Sequence, residues 1–200
     1  MTRCKAGPGA AAKIAAMSAL TWTDSLALQQ PHIDRTHQEF VELLNALAAV
    51  AESDDPLPAF DALHAHTEAH FAMEEGWMAA TGFSPENCHS RQHQMVLDLL
   101  REVRSCAVDQ GEWEPLRRLV PALAEWFPQH AEMMDAALVF TMQQLGFDPD
   151  APRAMAAEAK AGKPVTVAPH VCHPPLHRHP FGPACLAPAA HRRRGGLRAD

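Results

Sequence analysis

Apolar side chains recur at alternating steps of three and four residues in four separate stretches of the chain. The first of these apolar stripes consists of Ile33, His37, Phe40, Leu44 and Leu47. Because an α-helix turns once every 3.6 residues, this spacing places the whole stripe on one helical face. The other three stripes are Leu63, Thr67, His70, Glu74 and Trp77; His89, His93, Val96, Leu100 and Val103; and Leu119, Leu123, Trp126, His130, Met133 and Ala137. The pattern therefore predicts four amphipathic helices.

Residues that favour turns separate the four stripes. A proline-containing stretch at residues 53–58 ends the first helix, and the second is predicted to begin near Ala59. Gly82 can end the second helix, with Ser84 as the N-cap of the third and Pro85 as its first residue. Since short loops join helices of similar length, we predict an all-α fold, an up-down-up-down antiparallel four-helix bundle.

The two ends of the chain lack this pattern. Residues 151–200 contain eight prolines and almost no periodic apolar positions, so they cannot bury enough surface to offset the entropy of ordering. We predict a bundle over residues 20–150, a disordered extension at residues 1–19 and a disordered Pro/His/Arg-rich tail at 151–200. No apolar run approaches the length needed to cross a membrane.

Charge and cysteine usage restrict the partners. Residues 20–150 contain 22 acidic side chains against 6 arginines, so the bundle should repel nucleic acid and anionic membranes. We therefore expect neither as a partner, and we expect a monomer. The five cysteines are an odd number without a CxxC motif, which favours reduced thiols and a cytoplasmic location.

The chemistry of the chain lies in histidines and carboxylates within the apolar stripes. His70 and Glu74, and again His89 and His93, are four residues apart, so each pair projects from one helical face. His37 lies in the first stripe and His130 in the fourth, where Asp135 follows it. Burying so many unpaired polar groups is costly unless something binds them. The sequence therefore predicts a metal site between the four helices.

The number and type of these donors narrow the choice of metal. Five imidazoles and two carboxylates exceed the four ligands of a zinc site, and they suit two adjacent ions with more ligands each. Nitrogen and oxygen donors without thiolate favour iron or manganese. Ferritin-like proteins need two Glu-x-x-His motifs, whereas only Glu86 and His89 form one here. An HExxH motif is absent from the sequence.

Several short motifs in the same stretches resemble those of the bacterial hemerythrin family. They are Trp22, Ile33-Asp34-x-x-His37, His70-Phe71-x-x-Glu74-Glu75 followed by Met78, His89-x-x-x-His93, and Trp126-x-x-x-His130-x-x-x-x-Asp135. The resemblance covers roughly residues 20–148. It implies two non-haem iron ions bridged by carboxylates and an oxo or hydroxo group. The implied metal ligands are His37, His70, Glu74, His89, His93, His130 and Asp135.

The resemblance also implies how the ligands divide and what the centre does. His89, His93 and His130 would hold one iron, His37 and His70 the other, with Glu74 and Asp135 bridging them. Dioxygen would bind reversibly as hydroperoxide at the five-coordinate iron, for oxygen storage, delivery or sensing. This function is not enzymatic. The alternatives are a di-iron enzyme acting on peroxide or nitric oxide, and an iron-storage or metal-binding module.

Three positions depart from what spacing or the family pattern would favour. Five residues place Asp135 about 140° around an α-helix from His130, so its assignment as a ligand depends on the resemblance. Pro128 cannot donate a hydrogen bond to Ala124 and is predicted to kink the fourth helix. Ala131 replaces a bulky aliphatic residue, which predicts a roomier dioxygen pocket.

Overall fold

A computed structural model describes residues 18–50 and 53–149. A short 3₁₀ turn at Asp24–Leu26 precedes the long helices. These are α1 (Pro31–Ala48), α2 (Leu57–Thr81), α3 (Cys88–Gln110) and α4 (Glu114–His130), and α4 continues through a π-helical segment (Ala131–Asp135) into α5 (Ala136–Leu145). The extensions predicted to be disordered lie outside the described residues, apart from residues 18 and 19.

The helices form the predicted four-helix bundle. α1 packs against α2, α2 against α3, and α3 against α4. α1 also packs against α4, and α2 packs against α5. Short connections force neighbouring helices to run in opposite directions. α4, the π-helical segment and α5 follow one another without a break and form one continuous rod, so the four rods of the bundle are α1, α2, α3 and this combined element. The prediction of an all-α antiparallel bundle is confirmed.

The ends of the helices follow from local chemistry. Pro31 opens α1, and the side chain of Gln30 accepts a hydrogen bond from the Ile33 amide at 2.7 Å. At the end of α2, Gly82 has a φ of 86°, and the following amide of Phe83 donates to the Met78 carbonyl at 3.0 Å. A left-handed residue at this position favours glycine, which confirms the predicted end of the helix.

The predicted start of the third helix is wrong. Ser84 and Pro85 lie in the connecting loop, and α3 begins at Cys88 with Asn87 as its N-cap. The Asn87 side chain accepts a hydrogen bond from the Ser90 amide at 2.9 Å. Asparagine caps a helix as well as serine does, so composition alone could not choose between the two sites.

Two apolar clusters fill the bundle, one on each side of a polar layer. On α1, Phe40 belongs to one cluster and Ile33 to the other, and His37 lies between them. In the fourth rod, Phe127 belongs to the same cluster as Phe40, Leu138 belongs to the same cluster as Ile33, and His130 lies between them. Burying a leucine or phenylalanine contributes about 1.5–3 kcal/mol, so packed apolar groups hold both sides of the polar layer in place.

Two further sequence expectations concern membrane-spanning helices and the cysteines. None of the described helices is long and apolar enough to cross a membrane. Cys88 and Cys106 lie 18 residues apart on α3, about 27 Å along the helix axis, so they cannot be bonded to each other. The expectations of reduced thiols and of a cytoplasmic location stay predictions.

Candidate metal centre

Seven polar side chains form the layer between the two apolar clusters. They come from all four rods of the bundle, and each is at most 3% exposed. They are His37 on α1, His70 and Glu74 on α2, His89 and His93 on α3, His130 at the end of α4, and Asp135 at the end of the π-helical segment. The structure thus brings together every residue that the sequence analysis named as a metal ligand.

Regular α-helical geometry aligns the pairs that are four residues apart. On α2, His70 Nε2 lies 3.1 Å from Glu74 Oε1. On α3, the ring centroids of His89 and His93 are 4.3 Å apart. Both pairs therefore project into the bundle from one face of their helix, as the sequence spacing predicted.

Asp135 reaches the same layer because the backbone departs from regular α-helix. The Ala136 amide donates to the Ala131 carbonyl, a bond across five residues instead of four. One turn therefore contains one additional residue, so Asp135 occupies the angular position that the fourth residue after His130 would otherwise have. Asp135 Oδ1 lies 3.1 Å from His130 Nε2.

Because of the additional residue, the predicted fourth stripe is wrong at Met133, beyond His130. Met133, expected to point inward, is 55% exposed. The buried apolar positions that follow the π-helical segment are instead Leu138, Val139 and Met142. α4 itself continues through Pro128 to His130. The predicted kink at Pro128 stays a prediction.

The donor atoms form two groups that share one carboxylate. Within each group the atoms lie within 4.8 Å of one another. The larger group is Glu74, His89, His93, His130 and Asp135, and the smaller is His37, His70 and Glu74. Asp135 also faces both sides, because its Oδ1 lies 2.9 Å from His89 Nε2 and its Oδ2 lies 3.1 Å from His37 Nε2. The two carboxylates therefore lie between the two sets of imidazoles.

Burial and close charges govern protonation in this layer. Burial disfavours a charged His89, yet the carboxylates of Asp135 and Glu74 outweigh it and raise the His89 pKa to about 9. Burial likewise opposes charge on His70, but the Glu74 carboxylate raises the His70 pKa above its ordinary value. For His130 burial prevails and lowers the pKa. The layer thus contains imidazoles that favour opposite protonation states.

The two carboxylates remain ionised in spite of their surroundings. Burial and mutual repulsion favour the neutral acids, but the facing imidazoles hold the pKa values of Glu74 and Asp135 well below the ordinary range. Two negative charges are therefore fully buried in the bundle. The arginine ion pairs of the described residues lie on the exposed surface, between Arg101 and Glu68, for example.

The unpaired atoms of this layer fit a bound metal. The Nε2 atoms of His37, His89, His93 and His130, both oxygens of Asp135, and Glu74 Oε2 are buried without an aligned hydrogen-bond partner among the described residues. Several of these atoms nevertheless approach one another to 2.9–3.2 Å. Such groups are costly to bury unless cations lie between them. Imidazole and carboxylate donors without thiolate suit iron.

Aromatic rings enclose the layer. Phe71 stacks on His93 with ring centroids 3.9 Å apart, and Trp126 stacks on His130 at 4.4 Å. Phe127 meets the edge of His37 at 5.0 Å. These rings restrict rotation of the imidazoles and exclude water from them.

Two polar contacts outside the layer escaped the sequence analysis. His93 Nδ1 lies 3.1 Å from Glu75 Oε1, and His130 Nδ1 lies 3.0 Å from Gln92 Oε1. Glu75 directly follows the Glu74 ligand position and Gln92 directly precedes that of His93. For Gln92 this adjacency was the only signal in the sequence. Glu75 also lies in the motif that resembles the family, but no role was assigned to it, and a neighbour of a buried residue on a helix usually faces elsewhere.

The fold and this layer define a class of protein, a four-helix bundle with an interior histidine–carboxylate centre. The Hemerythrin HHE cation binding domain family matches residues 30–139 of the chain. A bacteriohemerythrin of Ralstonia nicotianae is 44% identical over 141 residues, which cover 70% of this chain and all of that protein. The chain therefore belongs to the hemerythrin family.

A second relative is more distant. A bacteriohemerythrin of Stenotrophomonas maltophilia is 31% identical over 97 residues, which cover 44% of this chain and 60% of that protein. No solved structure gave a significant match to the chain.

Proposed function

We propose that the protein binds two non-haem iron ions in this layer and uses them to bind dioxygen reversibly. The observation that carries the proposal is the convergence of seven buried nitrogen and oxygen donors in a member of the hemerythrin family. The donors form two groups that share Glu74, which supports two adjacent ions instead of one. Oxygen storage, delivery or sensing is the role that reversible binding would serve.

The division of donors supports the proposed ligand sets. His89, His93 and His130 would hold one iron, and His37 and His70 the other, with Glu74 and Asp135 between the two. A ferrous pair held in this way supplies one electron from each ion and an open coordination position, which is the chemistry that reversible dioxygen binding needs. The half with two histidines would offer its iron fewer protein donors than the half with three.

The protein's own contribution is to hold the donors and exclude water. Phe127 lies against His37, and the buried Ala131 directly follows His130 on the same rod. A dry, apolar enclosure slows side reactions of a reactive centre with water and anions. Reversible carriage depends on this exclusion, because a centre open to water would lose its bound oxygen irreversibly.

Metal analysis and the visible spectrum test the proposal. After anaerobic loading with ferrous iron, the full chain should bind close to two irons. Its colour should appear in air and vanish under argon through several cycles. His37→Ala should reduce the iron content and abolish the reversible colour, whereas Glu68→Gln, an exposed control on α2, should change neither. A parent protein that binds about one iron, unaffected by His37→Ala, would refute a two-iron centre.

The same spectrum distinguishes the alternatives. An irreversible loss of colour in air, with turnover of peroxide or nitric oxide, would favour a di-iron enzyme. Iron that binds without any response to dioxygen would favour a storage or metal-binding module. The chain contains no tyrosine to relay a radical, which speaks against oxidase chemistry and for carriage.

A further inference from the structure

The two halves of the centre differ in how the far sides of their imidazoles are held. In the half with three histidines, Glu75 contacts Nδ1 of His93 at 3.1 Å and Gln92 contacts Nδ1 of His130 at 3.0 Å. In the half with two histidines, Nδ1 of His37 and of His70 is buried without a hydrogen-bond partner among the described residues. Thus only one half has imidazoles fixed by side chains behind them.

Glu75 is itself held in position by the beginning of α3. Its Oε2 accepts a hydrogen bond from Ser90 Oγ at 2.9 Å, while Oε1 faces His93. Asn87, the N-cap of α3, binds both the Ser90 amide, at 2.9 Å, and the Ser90 hydroxyl, at 3.0 Å. A continuous series of contacts therefore runs from the helix cap through Ser90 and Glu75 to His93.

These contacts orient the donor atoms of His93 and His130, two of the three histidines of their half; Nδ1 of the third, His89, is buried without a hydrogen-bond partner among the described residues. A carboxylate or amide oxygen at Nδ1 accepts the ring N–H, so the lone pair of the imidazole is on Nε2. Nε2 of His93 is the atom that faces Glu74, at 3.2 Å. A ring already fixed in the binding orientation loses less conformational freedom when a metal binds.

We propose that Glu75 is a positioning residue which, together with Gln92, makes the three-histidine half the tightly held iron site and leaves the His37–His70 half as the labile one. The inference rests on the proposed two-iron centre. It predicts that the two irons leave in order, the iron of the two-histidine half first. A protein of this kind could lose and regain one iron without losing the other.

The experiment measures iron release from the full chain. Anaerobically loaded protein is mixed with excess of a chromogenic ferrous chelator, and absorbance is followed with time. The parent should release its iron in two phases of about one iron each. Glu75→Ala should accelerate the slow phase about 10- to 100-fold, the usual effect of removing a partner behind a metal-binding histidine, and leave the fast phase unchanged. Glu75→Gln retains an oxygen acceptor, so the rate of its slow phase should lie between the rates of the parent and of Glu75→Ala.

Matched variants separate positioning from general stability. Glu68→Ala removes another half-exposed carboxylate from α2, and Gln94→Ala removes an exposed amide from α3; neither contacts a histidine of the centre. Both should release iron like the parent, whereas Gln92→Ala should accelerate the slow phase. Thermal unfolding of each metal-free variant shows whether it folds like the parent.

The outcomes distinguish this inference from the proposed function. A parent that binds two irons but whose slow phase is unchanged in Glu75→Ala overturns the positioning role. Equal acceleration of both phases also overturns it, because it would indicate general loosening of the bundle. A parent that binds no iron refutes the proposed function itself.

Discussion

Metal affinity should rise with pH because His89 must lose a proton to bind metal. The carboxylates facing His89 raise its pKa to about 9, so this imidazole is protonated at pH 7 in the metal-free protein. Metal binds the neutral ring. Each pH unit below the pKa therefore lowers the apparent association constant about tenfold, which amounts to about 100-fold between pH 7 and pH 9.

The stability of the metal-free protein should change in the opposite direction. A pKa that is raised in the folded state contributes stability below its unfolded value, near 6.5, and this contribution is lost as the pH rises through 9. For His89 the loss is about 3 kcal/mol across this range. Glu74 and Asp135 have depressed pKa values, so their contribution is present throughout this window and is lost only in acid.

Cobalt(II) competition with a chelator of known pH dependence would measure the affinity at pH 7, 8 and 9. Urea unfolding of the metal-free protein at the same pH values would measure its stability. In metal-loaded protein the stability should vary much less, since His89 has no proton to lose. An affinity that stays constant from pH 7 to pH 9, after correction for the chelator, would refute the protonated His89 on which the argument depends.

Three other changes test separate parts of the centre. Asp135→Ala should lower the bound iron from two per chain towards one, as measured by metal analysis, because Asp135 faces imidazoles of both halves. If the small Ala131 leaves the roomier pocket that the sequence predicts, Ala131→Ile should fill it and slow autoxidation and azide entry, followed by visible absorbance; an unchanged autoxidation rate would contradict the pocket argument. A shortened chain of residues 17–150 should retain the iron content and helical circular dichroism of the full chain, and a loss of iron would assign a role to residues 151–200.

Most of the bundle could be predicted from the sequence because its determinants are local. Apolar spacing identified all four rods, and Gly82 marked the end of α2 through the backbone conformation that it favours. The pairs on α2 and α3 needed only regular α-helical geometry. Choosing Asn87 over Ser84 as the cap of α3 required knowledge of where the loop from α2 ends in space, which local propensity does not contain.

The contacts of Glu75 and Gln92 could not be predicted for a related reason. Each joins residues of different helices, Glu75 on α2 with His93 on α3 and Gln92 on α3 with His130 on α4. Such a contact depends on the rotation of one helix against its neighbour. A sequence pattern gives the inward face of each helix, but side chains at the edge of that face are assigned only by packing.

The π-helical segment explains two observations that appeared unrelated in the sequence: Asp135 reaches the polar layer, and Met133 is exposed. His130 and Ala131 are adjacent and both buried, and the buried positions continue with Asp135 and Leu138. A regular α-helix from His130 would instead turn Met133 inward, and because Met133 is apolar the sequence offered no sign of error. One additional residue in this turn lets the rod place His130 and Asp135 in the polar layer while the leucine beyond them still packs in the core. A π-helical turn is less favourable than an α-helical one and is common at functional sites, so its position between two buried polar residues indicates that the centre, not helix stability, determines the backbone here.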